Sequence, residues 1–307
     1  MTVRIATRGS DLALAQAEGI AAKIRSQLGR ETELVVLKTT GDRIQSVSLA
    51  KIGGKGLFVK EIEEALLDGR ADVAVHSAKD LPAEIASGCE LAAFPERADA
   101  RDALVARRPG ATLPELPPEA LVGTGSVRRE AQLRRARADL RIVPLRGNVP
   151  TRLQKLEDEG LDAVVLACAG LDRLGLSDRI SDRLEPRWML PAVCQGILAL
   201  ETRAGDPLAA DLAALDDADA RTAALAERAF LIGLGGDCST PLAAHARLEG
   251  DRVHLEAMLC SRDGATLYRA RHETGREVAA EAGAAAAREV LAHGGQALLD
   301  ALHAEPA

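Results

Sequence analysis

The stretch DVAVHSAKDLP, residues 72–82, decides how this chain is read. Asp72 to Val75 is a short apolar strand that runs without a spacer into a polar turn carrying Lys79 and Asp80. Upstream, apolar spacing predicts a helix over 59–68, a strand from Glu33 to Lys38, a helix over 11–28 and a first strand from Val3 to Ala6. Strands alternating with helices imply a parallel α/β sheet whose charged turns lie at the strands' carboxyl ends. After a proline-rich connection at 109–118 the pattern restarts. Leu121–Gly123, Arg141–Leu145 and Asp162–Ala167 read as strands, with a basic helix to about 137 and a second helix over 150–158. The chain therefore holds two similar α/β lobes, the first also recruiting a returning strand near 197–203. Crossings near 97–102 and 190–197 make a hinge around a cleft.

The last third differs. The loop GLGGDCSTP, 233–241, has too many glycines for a helix or strand interior and presents Cys238. Alternating segments at 243–249, 252–260 and 266–273 predict an antiparallel meander, followed by an alanine-rich helix from about 276, a Gly-Gly break at 294–295 and a final helix. The expected division is 1–97 with 197–216 as the first lobe, 98–196 as the second, and 217–307 as a small α+β domain.

With 307 residues the chain exceeds what one core usually holds, in keeping with several domains. No apolar run approaches a membrane span, and MTVRIATRGS lacks the hydrophobic block of a signal peptide, so the expected location is the cytoplasm. Five cysteines without a C-x-x-C pair argue against a disulfide framework, and six scattered histidines offer no local zinc spacing. A net charge of −7 argues against nucleic-acid binding and makes any basic cluster informative.

Ligands of open α/β sheets bind beyond the carboxyl ends of the strands. The residues expected there are Arg8, Ser10, Lys51, Lys55, Lys79, Asp80, Thr124, Ser126, Arg128, Arg129, Arg146, Arg152 and Arg173. Guanidinium forks and helix amino termini grip carboxylates and phosphates, so this cleft suits a ligand with several negative groups. GGKGLF lacks the spacing of a phosphate loop, which weakens a phosphoryl-transfer reading. His76, Phe94 and Trp188 read as packing residues. Asp80, between strand and helix, could equally cap a helix. Cys238 is either an inert loop thiol or a nucleophile able to form a covalent bond.

ATRGS, KIGGKGLFVKE, VHSAKDLP, GTGSVRR, LRGNVPTRL, AGLDRLG, LPAVCQG and the cysteine loop occur in the order and spacing of one family. Together they resemble porphobilinogen deaminase (hydroxymethylbilane synthase) over essentially the whole chain. The resemblance implies two type II periplasmic-binding-protein-like lobes and a third domain whose cysteine forms a thioether to a dipyrromethane primer. It implies a transferase of tetrapyrrole biosynthesis that condenses four porphobilinogen molecules head to tail, loses ammonia at each step and releases hydroxymethylbilane. A monomer acting on a small molecule is expected, with no metal, membrane or nucleic-acid partner. Carried over, Cys238 is the attachment site and Asp80 the catalytic carboxylate, while Arg8, Ser10, Lys79, Thr124, Ser126, Arg128, Arg129, Arg146, Arg152 and Arg173 bind acetate and propionate groups. Gln16, Lys51, Phe58 and Ser77 complete the implied set. Three positions depart from the family's pattern. Asp237 flanks the cysteine and should raise its pKa, Asp172 replaces a common lysine, and Cys194 replaces a glycine as a buried bystander. The competing class is an anion-binding or sensor protein on the same two lobes, which leaves a cysteine-bearing third domain unexplained.

Overall fold

The computed structural model describes residues 2–39, 59–237 and 239–304. The first lobe opens with β1 (Val3–Arg8), α1 (Asp11–Leu28), β2 (Thr32–Leu37), α2 (Lys60–Leu67), β3 (Val73–Ser77) and β4 (Cys89–Ala93). The chain crosses and continues with β5 (Asp102–Ala106), β6 (Leu121–Thr124), α3 (Val127–Ala136), β7 (Arg141–Pro144), α4 (Val149–Asp158), β8 (Ala163–Ala167), α5 (Cys168–Arg173) and β9 (Asp182–Leu184). It returns through β10 (Leu198–Arg203) and α6 (Leu208–Leu212). The last part comprises α7 (Ala218–Leu234), β11 (Leu242–Glu249), β12 (Arg252–Cys260), β13 (Leu267–Gly275), α8 (Ala279–Val290) and α9 (Gln296–Ala304). Local signals set these bounds. Ser10 caps α1 by accepting a bond from the Ala13 amide, and Gly29 ends the helix in the left-handed conformation. Ile20 and Ile24 then lie on the buried face of α1, one turn apart.

The two lobe sheets share one topology. Their strand orders are β2-β1-β3-β10-β4 and β7-β6-β8-β5-β9. The wholly parallel reading is corrected here, because β10 and β5 each run against both neighbours. The reason is geometric. A segment arriving from the other lobe enters at the cleft, where the parallel strands end, so it must run the opposite way. Thus Leu198 pairs with Ser77 at the end of β3, and Asp102 with Ala167 at the end of β8. The strands β4, β5 and β9 are additions to the expected set; β5 merges with the crossing that feeds it.

The two crossings run side by side. The Ala98 amide donates to the Gly196 carbonyl (3.2 Å) and the Gln195 side-chain amide to the Ala100 carbonyl (2.7 Å). Gly196 has φ +89°, and a Cβ there would strike the Ala98 carbonyl, so only glycine fits without displacement. The third domain's meander and helices pack onto this hinge, sharing one apolar cluster with Phe94, Val193, Cys194 and Ile197. A smaller cluster joins Ala243, Met258 and Cys260 to Ala131 of α3 and to Leu190. Among the described residues, no helix is long and apolar enough to cross a membrane.

Candidate active site

The second lobe's wall is built around Asp102, fully buried at the first residue of β5. Its carboxylate accepts two bonds from the Arg128 guanidinium (2.8 and 3.0 Å) and one from Arg129 Nε (2.8 Å). Both arginines lie in the first turn of α3, capped by Ser126, and are 5% and 6% exposed. Arg128 also donates to the Leu190 carbonyl (2.7 Å) and Arg129 to the Val165 carbonyl (2.9 Å). Burial alone would raise the Asp102 pKa, but the two guanidiniums, with Lys79 beyond them, bring it down to about 2.

The first lobe faces this wall with the end of β3, which tightens into a 3₁₀ turn, Ala78–Asp80. Burial pushes the Lys79 ammonium down to about 8; Asp80 and Asp102 support its charge, while Arg129 and Arg128 oppose it. Asp80 is exposed, and its carboxylate takes no hydrogen bond from the described residues. It is the last residue of its turn, not the first, so it does not cap a helix start. Arg152 anchors on the Gly147 carbonyl (2.7 Å). Burial brings its pKa down to about 10; Arg129 and Arg146 push the same way and Asp80 the other. Lys79 thus lies in the field of Asp80, Arg128 and Arg129, and Arg152 in that of Asp80, Arg129 and Arg146, residues scattered over 74 positions of sequence.

The other expected residues fall into four groups. Ser10 and Ser126 are helix caps, and Thr124 Oγ1 accepts from the Ser126 amide (3.2 Å). Arg8 and Ser77 close β1 and β3 at the cleft, both half-buried. Gln16 and Arg173 line a neighbouring cleft of about 390 Å³ beside the hinge, with Lys23 and Arg97. There Arg173 donates to the Gly196 carbonyl (2.8 Å), and burial lowers its pKa to about 10. Lys51, Lys55, Phe58 and Cys238 lie outside the described residues.

The departures from the family pattern acquire partners. Asp237 accepts from the Ser239 amide (2.8 Å) and hydroxyl (2.6 Å) and from Thr240 Oγ1 (3.3 Å). Desolvation works against its ionisation, but these bonds outweigh it and hold its pKa below the usual range. Asp172 pairs with Arg183 (2.8 Å), which also bonds Asp99 of the crossing (2.8 Å). Cys194 is buried, as expected, and has φ +57°, the left-handed region that favours glycine. His76 is buried against Glu201 (2.8 Å).

Sequence reasoning missed Asp102, whose only signal was its place before the unrecognised strand ALVA. It also missed Glu227 on α7. That buried carboxylate accepts from Arg97 of the first crossing (2.6 Å), from the Cys194 amide of the second (2.5 Å) and from the Ala246 amide of β11 (2.8 Å).

Two hinged α/β lobes with a cation-lined cleft between them, and a third domain seated on the hinge, define the class. Residues 3–211 match the family described as porphobilinogen deaminase, dipyromethane cofactor binding domain, and residues 221–292 match the porphobilinogen deaminase C-terminal domain. Porphobilinogen deaminase of Syntrophomonas wolfei is 46% identical over 97% of this chain and 97% of its own length. That of Bordetella parapertussis is 49% identical over 96% of this chain and 94% of its own. The chain belongs to the porphobilinogen deaminase family. Among solved structures, a periplasmic substrate-binding protein of Coxiella burnetii aligns over 73% of this chain and 96% of its own, with TM-score 0.42 and 16% identity. The donor set fits the family's cofactor: a dipyrromethane carries four carboxylates, and the cleft gathers five cations, Lys79, Arg128, Arg129, Arg146 and Arg152, against two acids, Asp80 and Asp102.

Proposed function

We propose that this chain condenses four porphobilinogen molecules onto a dipyrromethane primer held by a thioether to Cys238, and releases hydroxymethylbilane. The observation that carries the reading is the convergence of one carboxylate, Asp80, which takes no hydrogen bond from the described residues, with Lys79 of the first lobe and Arg152 of the second. Each pyrrole unit brings two carboxylates, which Arg146, Arg152, Arg173 and Lys79 are suited to hold with charge-assisted bonds. Arg8, Ser10, Gln16, Ser77, Thr124, Ser126, Lys51 and Phe58 complete the proposed set. The bound primer supplies the nucleophilic pyrrole carbon from which the chain grows.

Asp80 has the leading part. Loss of ammonia from porphobilinogen leaves a cationic methylene-pyrrole, and the attacking ring becomes positive as the new bond forms. A carboxylate fixed beside them stabilises both charges more than it stabilises neutral substrate, and it accepts pyrrole N–H bonds. It can also take the proton lost when the attacking ring regains aromaticity. Arg128 and Arg129 face the cleft with one shared counter-ion, leaving net positive charge for the primer's carboxylates.

We assign 1–97 with 197–216 and 98–196 to the lobes and 217–307 to the third domain, in a monomeric cytoplasmic enzyme without a nucleic-acid partner. The test is stoichiometric. Purified protein given porphobilinogen should release four ammonia molecules for each linear tetrapyrrole formed. Ligand binding without ammonia release would favour the non-catalytic sensor reading instead.

A further inference from the structure

Gln132 has no part in the chemistry above, yet its side chain is buried and bonded on every side. It lies one turn beyond Arg128 on α3, so the two share a face. Its Oε1 accepts from the Leu190 amide (2.7 Å), and its Nε2 donates to the Leu190 carbonyl (3.1 Å), with longer contacts to the Arg128 carbonyl and Met189 Sδ (both 3.4 Å). The same Leu190 carbonyl accepts from Arg128 Nη1 at 2.7 Å. Leu190 opens the return crossing, and it packs with Ala131, Ala243, Met258 and Cys260 where α3 meets the third domain.

We propose that Gln132 is a positioning residue: by clamping both backbone groups of Leu190, it fixes the carbonyl that orients Arg128. The Arg128–Asp102–Arg129 cluster is thereby tied to the start of the return crossing. A carbonyl held from one side by an amide and used on the other by a guanidinium has one position. Without the clamp, Leu190 can shift and Arg128 loses one of its two anchors, Asp102 remaining. Movement of the hinge or of the third domain at Leu190 then reaches the arginines directly. The inference rests on the reading that Arg128 serves the carboxylates in the cleft.

The test compares Gln132→Met, which keeps length and apolar volume but removes the amide, with Met258→Ala, which thins the same apolar cluster and leaves Leu190 and Gln132 intact. Each full-length, primer-bearing protein is assayed for melting temperature, KM, kcat and the distribution of covalent intermediates by intact mass. Gln132→Met should raise KM for porphobilinogen about tenfold or more and shift the intermediates toward shorter chains, as misplaced binding groups do. Met258→Ala should lower the melting temperature with wild-type KM and intermediates. Should Gln132→Met fail to fold, Gln132→Glu keeps the acceptor for the Leu190 amide and loses the donor to its carbonyl, and the same shift is expected. Wild-type KM and intermediates in the folded Gln132 variant, or the same shift in Met258→Ala, would overturn the proposal. A wild-type protein that consumes no porphobilinogen would instead count against the functional reading.

Discussion

Asp80 and Asp102 are both cleft carboxylates, and their surroundings give them opposite tasks. Asp102 spends its oxygens on Arg128 and Arg129, whereas the Asp80 carboxylate takes no hydrogen bond from the described residues. Asp80→Asn should therefore fold with near-native melting temperature while turnover falls roughly a hundredfold or more, since the amide keeps the shape and loses the charge. Near-wild-type turnover would remove Asp80 from the mechanism. Asp102 links to stability. Its folded pKa of about 2 lies below the ordinary 3.8, so its contribution is complete above 3.8 and is lost as pH falls through about 2. That interval corresponds to about 2 kcal/mol, and acid unfolding of Asp102→Asn should lose this part of the pH dependence. Lys79 has the opposite sense: its ammonium, lowered to about 8, loses its proton as pH rises through that value. kcat/KM for porphobilinogen should accordingly fall above about pH 8, and Lys79→Arg should move that fall upward; an unmoved alkaline limb would show that another group sets it. Asp80, Lys79 and the arginines were legible because charged residues at strand ends are placed by the fold rule alone. Asp102 was not, because a lone aspartate opening a five-residue strand looks like any surface acid until its two buried partners are seen.

At the scale of elements, the hinge governs. The paired crossings end in β5 and β10, so each lobe's sheet is completed by a strand delivered from the other side. Glu227 fastens both crossings to α7, which leads into the loop carrying Cys238. Breaking a buried ion pair on one side leaves an uncompensated charge and costs about 3–5 kcal/mol. Glu227→Leu should show a loss of that size in chemical denaturation, and a loss below 1 kcal/mol would make the fastening unimportant. Gly196→Ala should also destabilise the protein, because the new methyl meets the Ala98 carbonyl. The long periodic helices and the meander were readable from apolar spacing. The antiparallel strands were harder, because direction within a sheet depends on where the crossing enters, which no local pattern records. Cys194 shows the same limit: its left-handed backbone explains the family's glycine only once the turn is visible.

Over the whole molecule, two lobes supply cations from facing walls, and a third domain, seated on their hinge, brings the cysteine loop. The lobes share one strand order, so each places its charged turns toward the other at the cleft. That arrangement suits a chain of carboxylate-bearing rings growing from a fixed anchor while the lobes adjust around it. The anchor is the central claim, and intact mass spectrometry of the purified protein tests it most directly. The wild type should be heavier than its sequence by two linked pyrrole units, and Cys238→Ser should have the bare sequence mass and no activity. A catalytically active wild type at its unmodified sequence mass would contradict the account.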